Sequence, residues 1–413
     1  MKQLALAKIR QHFPRPRIDN VAAVIERQMQ RFASGVHPGM SVAVTAGSRG
    51  ITGIQSVLKT VVDSLNAMGA HPFIVAAMGS HGGGTVEGQT HVLHHLGIDE
   101  STVGAPLRIT SEAVPLGVTP GGHTLYVDKE AFHADAIFAV NRVKPHTAFQ
   151  DKLASGLFKM LTVGLGKVPG ATQVHKTSSS GMYSSIVEMG RLALEKLPIL
   201  GGLAIVENGY EETARIEALL PAEMEEGEKI LLQYAAGLLP RLPVQQLDVL
   251  IIEEMGKNFS GTGMDTNVIG RWKATGIPEP EWPKIKRIVV LRLSEESHGN
   301  ANGLGLADVT TRKLVEAIDW NATLMNVRTT GFWDRAFCPP FPGSDQDAIR
   351  WALKGMKVTE DQTVSVARIR NTLHLEDFWV NEAAFASLDL HERVSEYIPL
   401  SFDESGNLLP GRG

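Results

Sequence analysis

With 413 residues, the chain exceeds the ~250–300 residues at which a single hydrophobic core usually stops growing, so two domains are expected. Hydrophobic residues make up 43%, charged residues 21%, and the formal net charge is -5; this is the balance of a globular enzyme without the basic excess that grips a phosphate backbone, so no nucleic acid partner is expected. The single cysteine, Cys338, excludes an intrachain disulfide and any zinc or iron–sulfur site built from several cysteines of one chain.

The first residues, MKQLALAKIRQHFPRPRID, lack the uninterrupted apolar region of a signal peptide. No run reaches the ~18 apolar residues of a membrane span, so a cytoplasmic protein without a membrane partner is expected. From Met40 to Gly47, MSVAVTAG reads as a buried strand. It leads through Ser48, Arg49 and Gly50 into a helix over Gln55–Met68, where Val57, Leu58, Val61, Val62, Leu65 and Met68 recur at helical spacing. Gly69 closes that helix as a C-cap would. His71–Met78, HPFIVAAM, is a second apolar run, and strand, helix, strand is the signature of a parallel sheet with a crossover helix.

A glycine-rich turn, Gly79 to Gly84, follows that strand, and a third strand over Asp135–Val140 delivers Asn141 to His146 to the same edge. In open parallel sheets ligands sit at the carboxyl edge, so Arg49, His81 and His146 are expected on one rim. Further strands are read at Gly202–Val206, Asp248–Ile252 and Arg287–Leu293. Two prolines in LLPRLPVQQL, Leu238–Leu247, mark a linker and divide the chain into residues 1–245 and 246–413. The fold class is α/β: two domains with mostly parallel sheets flanked by helices and an active-site cleft between them. The end, SFDESGNLLPGRG, reads as a loosely held tail.

The stretch Val140–Lys176 is the most informative, because it sets His146, Lys159 and His175 in apolar, glycine-rich text. His146 follows a proline that holds Lys144 extended, and an imidazole with an ordinary pKa of roughly 6.5 suits proton transfer on such a loop. His81 lies in MGSHGGGT, where glycine allows close approach of backbone to a ligand; the alternative is a strand-to-helix turn with an incidental histidine. Neither GxxxxGK[ST] nor GxGxxG is present. Lys159, between Phe158 and Met160, is either a desolvated amine available for a covalent bond or a lysine whose stem covers apolar surface. His91 and His95 share a helix face at i and i+4, yet no HExxH accompanies them, and a structural role is the simpler reading. The acidic pairs Glu211-Glu212 and Glu253-Glu254 and the run Glu223–Glu228 read as solvated.

These segments resemble the nickel-dependent lactate racemase family of 2-hydroxyacid racemases and epimerases. The resemblance rests on VAVTAGSRGITG, on AAMGSHGGGTVEG with His81, on KPHTAF with His146, and on the sixteen-residue interval from Lys159 to His175. It implies an isomerase that uses a nickel-pincer nucleotide, supplied by cofactor biosynthesis enzymes. In that likeness Lys159 carries the cofactor, His175 ligates nickel, His81 and His146 are the paired acid–base residues, and Ser48 and Arg49 contact the cofactor. Arg49 and Lys273 would bind the carboxylate of a small 2-hydroxy acid. The residues before 246 form the catalytic and cofactor-binding domain and those after it the domain closing the cleft, with assembly into a homo-oligomer left open. Ala46 stands where the family usually has aspartate, and Ile269 and Gly270 replace an aromatic residue and a glutamine. Three extra residues separate His146 from Lys159, so a substrate range different from lactate is expected. The alternatives are a nicotinamide-dependent 2-hydroxyacid oxidoreductase, a non-catalytic nucleotide-binding member of the family, and a zinc hydrolase built on His91 and His95.

Overall fold

The computed structural model describes residues 4–48, 50–145, 153, 155–175, 181–274, 277–354, 356, 363–388 and 392–411. The chain forms two compact units, Pro14–Leu239 and a discontinuous one made of Met1–Phe13 with Pro240–Gly413. The boundary after Leu239 falls in the proline-bearing stretch read as a linker. The amino-terminal strand β1 (Ala5–Arg10) departs from the linear division at 245/246. It pairs antiparallel with Asp377–Val380, Ala7 opposite Val380 and Arg10 opposite Asp377, so a main-chain ladder ties it to the carboxyl-terminal unit.

The Pro14–Leu239 unit is built on β2 (Ser41–Ala46), β3 (His71–Ala76), the hairpin β4 (Ala113–Val118) and β5 (Thr124–Asp128), then β6 (Ala136–Arg142), β7 (Ile199–Glu207) and β8 (Thr213–Leu219). The main sheet runs β3-β2-β6-β7-β8, parallel throughout except at the β7/β8 edge. Register sets Ser41 beside His71 and Ala46 beside Ala76, so the carboxyl ends of β2 and β3 are level. The crossover helix Ile54–Ala67 buries Val57, Leu58, Val61, Val62 and Leu65, five of the positions its periodicity marks, while Met68 is its half-buried C-cap. Each such side chain contributes about 1.5–3 kcal/mol by leaving water. They share a core with Val42 and Val44 of β2 and Phe138 of β6.

In the other unit β9 (Gln246–Met255) and β10 (Lys284–Leu293) run parallel, as do β9 and β11 (Val366–Ile369). The sheet continues antiparallel through β12 (Asp377–Val380) to β1, which also pairs β13 (Glu392–Arg393) and β14 (Ile398–Pro399). Leu250 and Ile252 face one core, and Val249 and Ile251 face the other. A strand covered on both faces reads as a continuous apolar run, which is why DVLII was legible. The supposed tail is held instead: Leu408 is 6% exposed, its N–H donates to Asp345 at 2.8 Å, and Phe402 bridges to it. Its apolar pair packs onto the sheet beneath. Among the described residues no helix is long and apolar enough to cross a membrane.

Candidate active site

The carboxyl edge of β2, β3 and β6 gathers the segments singled out from sequence. The turn after β2 carries Ser48, and the turn after β3 carries His81 at the head of a short 3-10 turn, His81–Gly84. Ser48 Oγ is hydrogen-bonded to His81 Nδ1. Such a bond fixes the orientation of the ring. Arg142, ending β6, pairs with Glu207, ending β7. Glu207 also accepts from the Thr52 N–H at 2.7 Å, so the turn after β2 is anchored to the far side of the sheet.

Lys159 closes the four-residue helix Gly156–Lys159, which continues into a π turn, Met160–Gly164. This segment lies across the strand ends. Asn141 of β6 donates to the Gly156 carbonyl at 2.7 Å, the Gly79 N–H donates to the Gly164 carbonyl at 3.0 Å, and the Met160 side chain packs over Gly47. Lys159 is half-buried. The helix Lys167–His175 follows and ends on the expected nickel ligand; the His175 side chain, like Arg49 and His146, lies outside the described residues.

Glu228 corrects the reading of its acidic run as solvated. It is 1% exposed, and its Oε2 accepts from the N–H groups of Leu157 at 2.7 Å and Phe158 at 3.1 Å, capping the helix that ends at Lys159. An added Cβ on Gly156, φ +81°, would fall 2.6 Å from the Glu228 carboxyl carbon, so glycine is required there. Burial pushes the Glu228 carboxyl up to about 8 from an ordinary 4.5, against the two N–H donors. The raised folded-state value favours the protonated form. Its contribution to stability is therefore complete below about pH 4.5 and is lost as pH rises through about 8. Chemical denaturation is expected to show a smaller loss of stability between about pH 5 and pH 8 for Glu228→Gln than for the parent; equal pH slopes would contradict this role. Others of the acidic residues are paired at the surface or strand ends: Arg191 holds Glu225 at about 2, Arg15 holds Glu212 at about 2, and Arg368 pairs with Glu253 at 2.8 Å.

Lys273 belongs to the carboxyl-terminal unit. It has φ +43°, its Nζ donates to the Gly305 carbonyl at 2.5 Å, and burial followed by the Arg271 charge lowers its pKa. Arg335, not singled out from sequence, lies in the same neighbourhood. It is 3% exposed, donates to the Trp272 carbonyl at 3.3 Å, and is pushed down to about 10 by burial. His91, His94 and His95 are exposed along one helix, and among the described residues no group of three His, Cys, Asp or Glu is placed to hold a metal.

Sequence reasoning also missed Gln89, Asp128 and Lys167, all buried. Lys167 Nζ meets Asp128 Oδ2 at 2.7 Å, the Ala76 carbonyl at 2.6 Å and Gln89 Oε1 at 3.1 Å. The signal available was a lysine inside the glycine-rich apolar run GLGKVPG.

The parallel-sheet edge that carries Ser48, His81 and the Lys159 segment belongs to an α/β protein. Residues 7–177 match the family model of the lactate racemase N-terminal domain. The fold is similar to that of the lactate racemase apoprotein from Thermoanaerobacterium thermosaccharolyticum, with a TM-score of 0.52 at 12% identity over 89% of this chain and 99% of that one. A protein from Thermotoga maritima is similar at 15% identity and a TM-score of 0.46, over 68% of this chain and 72% of that one. No curated protein matches the sequence.

Proposed function

We propose that this protein is a racemase or epimerase of a small 2-hydroxy acid, working by reversible proton-coupled hydride transfer with a nickel-pincer nucleotide tethered at Lys159. The observation that carries the reading is the match of residues 7–177 to the lactate racemase N-terminal domain, with the Lys159 segment packed across the strand ends that carry Ser48 and His81.

The residues fit the cofactor. An added Cβ on Gly50 or Gly83 would meet nothing within 4 Å, which leaves the main chain of both turns open to a nucleotide. Cys338 is the one cysteine, so nickel cannot be held by several protein thiolates and sulfur ligands come with the cofactor. In this reading Lys159 holds the pyridinium group covalently, His175 ligates nickel, and Ser48 and Arg49 contact the nucleotide. When bound, the cofactor supplies a hydride acceptor.

The chain supplies acid–base chemistry. His81, its Nδ1 held by Ser48, and His146 divide the proton transfers: one takes the hydroxyl proton of the stereoisomer that enters, and the other protonates the oxygen as the opposite stereoisomer forms. Two bases are required because the two stereoisomers present that proton differently. Arg49 and Lys273 bind the substrate carboxylate, and the lowered pKa of Lys273 comes from the burial that strengthens such a contact. Gly270 in place of a glutamine, and the three extra residues between His146 and Lys159, direct the substrate range away from lactate. With protein produced alongside the cofactor-making enzymes, a panel of single-enantiomer 2-hydroxy acids is expected to include one whose optical rotation decays to zero or to an epimer mixture. No change across the panel by protein bearing the adduct would favour a non-catalytic nucleotide-binding role, and stoichiometric keto acid with free NAD would favour an oxidoreductase.

A further inference from the structure

Lys167 begins the helix that ends at His175, and its backbone has a left-handed φ of +51°. A side-chain-bearing residue holds that conformation when its surroundings over-determine it. Here the side chain does so: it is 1% exposed, its ammonium donates to the Ala76 carbonyl and Gln89 Oε1, and it forms an ion pair with Asp128 Oδ2. Ala76 ends the strand leading to His81. Asp128 ends β5 and accepts from the Ala131 N–H at 3.0 Å.

Gln89 carries the connection onward. It is fully buried, and its Nε2 donates to the Gly79 carbonyl at 3.0 Å and to the carbonyl of His81 itself at 3.3 Å. The amide is thus used at both ends: its oxygen receives Lys167, and its nitrogen grips both sides of the turn that presents His81. The helix bearing His175 and the turn bearing His81 are joined through two side chains. A buried ion pair is seldom more stabilising than apolar residues of the same volume, so its value here is geometric.

We propose that Gln89 and Lys167 are positioning residues, which fix the His81 turn relative to the helix that ends at His175; this rests on the racemase reading above. Both side chains are buried, Gln89 at 0% and Lys167 at 1% exposure, and act through the turn and the helix they hold. Misplacement of a proton-transfer group by about 1 Å costs up to about a hundredfold in rate, so the effect belongs in kcat.

Two variants separate the halves of the amide. Gln89→Leu removes both ends, whereas Gln89→Glu retains an acceptor for Lys167 and loses the donor to Gly79 and His81. In cofactor-free protein, the ring nitrogen resonances of His81 are expected to shift in both variants across a pH titration. In loaded protein, kcat is expected to fall about tenfold or more, with KM within about twofold and the Lys159 adduct intact. Should Gln89→Leu fail to fold, Gln89→Glu alone decides. His81 resonances at parental positions together with parental kcat would overturn the proposal. If loaded parental protein racemises no 2-hydroxy acid, the reaction reading fails, and the His81 shifts in the cofactor-free variants still decide whether Gln89 positions the turn.

Discussion

Lys159→Ala is expected to abolish the covalent adduct and lower racemisation by about four orders of magnitude or more, the scale of what a fixed reacting group gains over one that must be collected from solution. The fold should survive the change. Lys159 is half-buried, and the start of its helix is held by Glu228 through Leu157 and Phe158. Intact mass and initial rates on protein made alongside the cofactor enzymes check both parts. Lys159→Arg serves as a control that keeps the positive charge and removes the primary amine. Either variant racemising at the parental rate would sink the assignment of the tether.

The second large effect is on stability. Lys167→Met is expected to destabilise the fold by about 3–5 kcal/mol, because it strands Asp128 as a buried carboxylate without its cation. Burial already pushes the Asp128 carboxyl above its ordinary value, with Lys167 acting in the opposite direction. Burial likewise pushes Lys167 down, opposed by Asp128. Lys167→Met/Asp128→Asn should recover much of the loss, since a neutral amide is far cheaper to bury than a charge. Urea denaturation of the two single variants and the double closes the cycle. A Lys167→Met protein within about 1 kcal/mol of the parent would show that the pair is not the buried lock described here.

Local rules made the parallel sheet legible. The helix Ile54–Ala67 and its flanking strands have strong periodicity, and the structure places them within a residue or two of that reading. Strand β1 could not be placed from sequence, because its partners lie more than 360 residues away and short-range pattern carries no information about them. Glu228 illustrates the same limit: in the text it belongs to an acidic run, and only the fold brings it beneath the helix of Lys159. The rim position of Ser48 and His81 was legible because glycine-rich turns follow the carboxyl ends of β2 and β3. Gln89 and Lys167 were not, since a buried network is defined by what three separate elements bring together. Arg49 and His146 remain readings of motif and rim position.

The most direct test of the proposed chemistry is to run the 2-hydroxy acid screen in D2O and measure the mass of the racemised product. Reversible hydride transfer returns the hydrogen that left, so the product should keep protium on its second carbon while optical rotation decays. Deuterium entering that carbon at the rate of racemisation would instead mean proton abstraction from carbon, and would contradict the account.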